Sequence, residues 1–126
     1  MQYHHTDDAP KAIGPYSQAV EIDGWLYTSG QVALDPATHK LVDGDFEAQA
    51  KQVFANLQAV LKAGGCGFGD VVKATVYLQN FGDFATLNKL YAEAMGDHRP
   101  ARSTVQVAAL PLGALVEIDF VARIRG

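Results

Sequence analysis

Period-two alternation dominates the last quarter of the chain. Between 102 and 109, Arg102, Thr104 and Gln106 point one way, and Ser103, Val105 and Val107 the other. Between 115 and 124, Val116, Ile118, Phe120, Ala122 and Ile124 form an unbroken apolar face opposite Glu117, Asp119 and Arg123. Leu110-Pro111-Leu112-Gly113 joins the two runs with turn chemistry, since proline presets φ and glycine tolerates positive φ. The pattern predicts a β-hairpin. If its two apolar faces share one core, Arg102, Thr104 and Glu117 fall together on the opposite face.

The rest of the chain alternates between the same two periods. Residues 1–13 are polar and read as loop or a frayed strand. Two short strands, 17–22 and 25–29, flank Asp23-Gly24, a strong hairpin signal. Gly30 and Gln31 precede a third strand at 32–34, where the glycine suggests a bulge or a close backbone approach. From Phe46 to Ala63 the apolar positions (Phe46, Ala50, Val53, Phe54, Leu57, Val60, Leu61) recur with helical spacing. Asp45 stands as N-cap, and Gly64-Gly65 as the stop. A strand at 71–79 places Val72, Ala74, Val76 and Leu78 on one face. A second helix, 84–95, is capped by Asp83 and stopped by Gly96. Its stripe is Phe84, Leu87, Tyr91, Ala94 and Met95, with Asn88 to one side.

The order is β-β-β-α-β-α-β-β, an α+β arrangement with two helices on one face of a mostly antiparallel six-stranded sheet. The face carrying Arg102 and Glu117 is then left bare. It also holds Leu115 and Val121, so self-association of identical open faces is expected, with the polar residues lining clefts between subunits.

Composition narrows the function classes. A net charge of -4 gives no general attraction for nucleic acid or anionic lipid. With one cysteine, Cys66, no intrachain disulfide is possible, and the N-terminus lacks the apolar run of a secretory signal; a cytoplasmic protein is expected. His4 and His5 are adjacent, poor spacing for a metal, and read as solvated tail residues. The glycine-rich stretch 66–69 lacks the phosphate-loop pattern and precedes a strand rather than a helix. By themselves, an arginine and a glutamate on one sheet face read as a cross-strand salt bridge, Tyr16 as a half-buried aromatic, and Asn88 as a solvated helix residue.

Five segments change that weighting. APKAIGPYSQAV (9–20), TSGQVALDP (28–36), NLQAVLKAGG (56–65), VVKATVYLQNFGDFATLN (71–88) and RPARSTVQVAALPLGALVEID (99–119) closely resemble the RidA/YjgF family of reactive-intermediate imine deaminases. The resemblance spans nearly the whole chain. It implies one domain, 1–126, with a chorismate-mutase-like fold, assembled as a homotrimer with active sites between subunits. It further implies hydrolysis of 2-imino acids, released by dehydratases acting on threonine and serine, to 2-oxo acids and ammonia. The family's carboxylate-binding arginine falls on Arg102 and its water-directing glutamate on Glu117. The tyrosine of its GPY motif is Tyr16, the serine and glycine of its SGQ motif are Ser29 and Gly30, and its helix asparagine is Asn88. One position departs: Thr104 stands where many members have cysteine, at a point where the family's contact is largely through backbone.

These residue types suit the chemistry. Arg102 can grip a planar carboxylate with two parallel charge-assisted hydrogen bonds. Glu117 can act as general base and then acid. The Tyr16 and Ser29 hydroxyls can orient water or substrate, and backbone at Gly30 can approach the ligand closely. An imine is already electrophilic, so no metal or organic cofactor is expected. Two other functions stand beside this one: a small-carboxylate-binding or regulatory trimer without turnover, and the ribonuclease or translation-inhibitor activity reported for some relatives. The retained Glu117 weighs against the first. The acidic balance and the lack of an RNA-binding motif weigh against the second.

Overall fold

The computed structural model describes residues 1–125. Six strands form one sheet: β1 (Gln2–His4), β2 (Ala19–Ile22), β3 (Trp25–Thr28), β4 (Val71–Leu78), β5 (Ala101–Gln106) and β6 (Val116–Arg123). Their spatial order is β1-β2-β3-β6-β4-β5, antiparallel except for the β4–β5 pair. Two helices, α1 (Phe46–Ala63) and α2 (Phe84–Met95), lie on one face. Their bounds coincide with those expected from periodicity. At the start of α1 the Asp45 carboxylate accepts the Ala48 N–H at 3.1 Å. Asp83 precedes α2 as expected but makes no capping bond; Asn80, a turn earlier, accepts the Gly82 N–H at 2.8 Å instead.

The expected hairpin does not form. β4, α2 and β5 make a crossover unit, and a strand returning through a helix lands parallel beside the one it left. β6 has one fully apolar side (Val116, Ile118, Phe120, Ala122), all buried, and takes the central slot between β3 and β4. β5 buries no residue completely and stays at the edge. The segment with Pro111–Gly113 therefore carries the chain past the end of β4, with Leu112 and Gly113 both at positive φ. Alternation identified both strands; it carried no information about which strand lies between them.

The first three strands also shift. The polar N-terminus supplies β1, paired with β2. Residues 32–34 form no strand, and only the bridges Gln31–Ile118 and Leu34–Leu41 occur there. The cause is Asn56, fully buried on α1. Its amide donates to the carbonyls of Val32 and Leu34 at 3.2 and 2.9 Å, satisfying groups that a neighbouring strand would otherwise take. In β4 a bulge between Val71 and Lys73 reverses the parity expected for the first residues: Val71 is buried and Val72 is exposed.

The core lies between helices and sheet, around Leu26, Val53, Leu57, Leu61, Val76, Leu78, Leu87, Ile118 and Phe120. The register places Tyr3, Val20, Tyr27 and Val121 in one cross-strand row on the other face, and Ile22 and Trp25 beside them. That face has no helix over it, and Tyr3, Ile22, Tyr27 and Val105 are exposed. Among the described residues, no helix is long and apolar enough to cross a membrane, and no cluster of three or more ligating side chains forms a metal site.

Asn56→Ala leaves the part-buried Leu34 carbonyl without its donor and removes one of the two donors to the Val32 carbonyl. We expect a loss of about 1–3 kcal/mol in denaturant unfolding, with faster amide exchange around 31–34. Asp45→Ala, which removes only a cap, should cost about 1 kcal/mol without loosening that segment.

Candidate active site

The residues expected at the site fall into two groups. Glu117 lies near the start of β6 on the open face, half-buried, with Tyr77 of β4 opposite it and Asp119 two positions along. The Tyr77 hydroxyl donates to Asp119 Oδ2 at 3.3 Å. Burial pushes the Glu117 carboxyl above its ordinary pKa, and the like charge of Asp119 adds to this. Asp119 is raised by burial too, opposed by the Tyr77 hydrogen bond.

Gly30 packs directly against Glu117. A Cβ at that position would overlap Glu117 Oε2, so any side chain there would displace the carboxylate. Reciprocal backbone bonds between Gln31 and Ile118, at 2.9 and 3.1 Å, hold the glycine in place. One residue earlier, Ser29 Oγ donates to the Ser17 carbonyl at 2.6 Å, and the Ser29 N–H to Gln18 at 2.9 Å. The Ser29 hydroxyl proton is therefore committed to backbone, and the oxygen retains only its acceptor capacity. These bonds tie the Gly14–Ser17 turn beside the segment, with Tyr16 exposed. Ser29, Gly30 and Glu117 thus form one assembly, with Tyr16 on its margin.

Arg102 belongs to the second group. It sits on edge strand β5 and faces α2. Its Nη2 donates to Asn88 Oδ1 at 2.7 Å. Its guanidinium carbon lies 4.8 Å from the Tyr91 ring centroid and 5.7 Å from that of Phe84. An amide and two aromatic rings thus hold the guanidinium, which has no carboxylate partner among the described residues. It opens onto a cleft of about 320 Å³ lined by Asn88, Tyr91, Arg99, Pro100 and Arg102. Thr104 shares this side of β5, but its hydroxyl is buried without a hydrogen-bond partner. Asn88, where the family's helix asparagine falls, accepts from Arg102 and so helps to set the guanidinium.

The two groups lie on opposite faces of the sheet, which corrects the expectation that Arg102, Thr104 and Glu117 share one. Arg102 and Thr104 pair with Ala74 and Val76, whose other neighbours are Phe120 and Ile118, all on the helix side. Glu117 pairs with Tyr77, and Tyr77 with Val105, on the open side. The expectation required Val105 to join the core. At the edge it is instead exposed on the open face, and Arg102 is the residue turned toward the helix layer, where α2 offers polar and aromatic partners. Sequence reasoning missed Asp119, Tyr91, Phe84 and Arg99 as site residues. Asp119 could have been found, since period two places it beside Glu117. Tyr91 carried only the signal of an apolar stripe.

Chemically, the open-face group offers a carboxyl that can hold or release a proton nearer neutrality than an ordinary glutamate, beside exposed backbone at Gly30. The α2–β5 group offers a pre-set guanidinium fork for a planar anion.

The chain is similar to known proteins along nearly its whole length. The Endoribonuclease L-PSP family profile matches residues 6–124. Protein DfrA of Myxococcus xanthus is 54% identical over 94% of this chain and 92% of its own. The 2-iminobutanoate/2-iminopropanoate deaminase of Mus musculus is 51% identical over 93% of this chain and 87% of its own. The crystal structure of RidA from an Antarctic Psychrobacter superposes with a TM-score of 0.94 at 46% identity, covering 98% of this chain and 100% of that one.

Gly30→Ala should displace the Glu117 carboxylate and lower turnover of any substrate that depends on it by about ten- to a hundredfold, while circular dichroism stays unchanged. A second outcome concerns pH. Where Glu117 must be ionised to take a proton, the acid limb of the kcat/KM profile should lie above the ordinary carboxylate range. Asp119→Asn removes the like charge, so the limb should move to lower pH.

Proposed function

The chain belongs to the Endoribonuclease L-PSP family, the family of the RidA and YjgF proteins, and from that premise we propose that it hydrolyses reactive 2-imino acids to 2-oxo acids and ammonia. The observation that carries the proposal is the Arg102 guanidinium, held by Asn88 and Tyr91 and without a carboxylate partner among the described residues. A built cation with no internal counter-charge suits an external planar carboxylate. The deaminase name of relatives about half identical to this chain supports the same reading.

In the proposed reaction Arg102 grips the substrate carboxylate and fixes the C=N carbon. Glu117 accepts a proton from water as its oxygen bonds to that carbon of the protonated imine and the π pair moves to nitrogen, giving a neutral carbinolamine. The resulting carbinolamine collapses when Glu117 returns the proton to nitrogen. The C–N bond breaks, ammonia leaves, and loss of the hydroxyl proton completes the 2-oxo acid. Water is the only co-reactant, so the balance needs no metal or redox partner.

Within one chain the two groups lie on opposite faces, so a substrate between them needs a second copy. We propose that the edge at β5 of one subunit meets the open face of another, bringing one chain's Arg102 to its neighbour's Glu117. A closed ring of three such contacts matches the trimer expected from the family resemblance, and it covers the apolar open face. Tyr16, Ser29 and Gly30 then line the Glu117 side, while Asn88 and Thr104 lie on the Arg102 side.

With a dehydratase and threonine, the protein should accelerate 2-oxobutanoate formation from the imine. Arg102→Ala and Glu117→Ala should each lower this by at least about a hundredfold. Mixing the two inactive variants, with subunit exchange, should restore about a quarter of wild-type activity, because some sites then combine an intact Arg102 with an intact Glu117. No acceleration by the wild type over buffer would sink the deaminase reading. Failure of the mixture to recover would sink the shared site.

A further inference from the structure

Arg102 is not alone in its cleft. Arg99, three residues earlier, lines the same space from the connection between α2 and β5. Its Nη1 donates to the carbonyls of Gly96 and His98, at 2.5 and 2.9 Å. Those bonds anchor the guanidinium at the rim. Its Nε and Nη2 have no hydrogen-bond partner among the described residues, and neither arginine has a salt-bridge partner there. No acidic side chain lines the cleft. Two guanidiniums therefore converge on one open space, in a chain whose net charge is -4. The Tyr91 hydroxyl lies within the field of both, buried and without a partner, so nothing in its surroundings supplies the missing negative charge.

A 2-imino monocarboxylate uses one of these cations. The second is left facing solvent with its fork half free. We infer that Arg99 makes this cleft selective for 2-imino acids carrying a second acid group, the imines of acidic amino acids. The first carboxylate meets Arg102, and the side-chain carboxylate meets the free edge of Arg99. The inference rests on the deaminase reading of the Arg102 site. It changes the substrate class, because a dehydratase acting on threonine or serine releases only monoanions. A dianionic imine arises when an oxidoreductase removes two electrons and two protons from the C–N bond of an acidic amino acid and passes them to its own flavin or nicotinamide acceptor. The step assigned to this protein remains hydrolysis: water enters, the C=N bond is replaced by C=O, and ammonia leaves.

Binding and turnover separate the inference from the reading beneath it. Calorimetry on the intact protein should show 2-oxoglutarate bound about tenfold more tightly than 2-oxobutanoate, the gain expected of one additional charge-assisted contact. Arg99→Gln should reduce that ratio toward one. Arg99→Lys, which keeps the charge but not the fork, should retain part of it. Salt should narrow the wild-type ratio, a result that does not depend on how a variant folds. In turnover assays, 2-iminosuccinate and 2-iminobutanoate, generated in situ by amino-acid oxidases, should show the same order of kcat/KM. Equal affinity of the wild type for the two oxo acids would overturn the inference, as would an Arg99→Gln variant that weakens both alike. A binding preference that persists where no imine is hydrolysed would uphold the dianion site and overturn the deaminase reading alone.

Discussion

The structure depends on the parity of its sheet. A strand residue can face only one side, and hydrogen-bonded neighbours share that side. Once β6 takes the centre and β4 separates it from β5, the faces of Arg102 and Glu117 are determined. No rotamer brings the two into one pocket of a single chain, because the sheet and its core residues lie between them. An active site using both has to form between chains, and the bare apolar face is the surface such an association would cover.

Each half is built differently. The acidic half sits in a partly desolvated row, where burial raises the cost of ionising both Glu117 and Asp119, the charge of Asp119 adds to the cost for Glu117, and Tyr77 relieves only Asp119. The basic half rests on a helix. α2 turns Phe84, Asn88 and Tyr91, at helical spacing, toward one guanidinium, and the connection that follows it anchors another through the carbonyls of Gly96 and His98. Opposite charges are thus held apart by the sheet rather than neutralised within the chain. Among the described residues this leaves the arginine without a carboxylate partner and the glutamate without a cation.

Close contacts fix the details. Gly30 is needed for the absence of a side chain beside Glu117, not for unusual backbone. Asn56 lies on the buried side of a helix whose apolar periodicity gives no hint of it, yet it replaces a predicted strand with a pinned loop. The bulge at Val71 exchanges the roles of two valines that are chemically identical.

The sequence alone determined what local physics controls. Both helices follow from their 3.6-residue spacing and their stops at Gly64 and Gly96, and β4 and β6 follow from period-two alternation. The long motifs around Gly14–Tyr16, Ser29–Gln31 and Pro100–Ser103 carried the family. Alternation states which residues share a side of a strand. It does not state which side meets the helices, or which strand lies next door. Those choices were decided by competition for burial across the whole chain, won at the centre by the apolar side of β6, and by the α2 crossover that set β5 parallel to β4. Only the tertiary structure could therefore place Arg102 behind the sheet from Glu117, with Arg99 beside it in the same cleft.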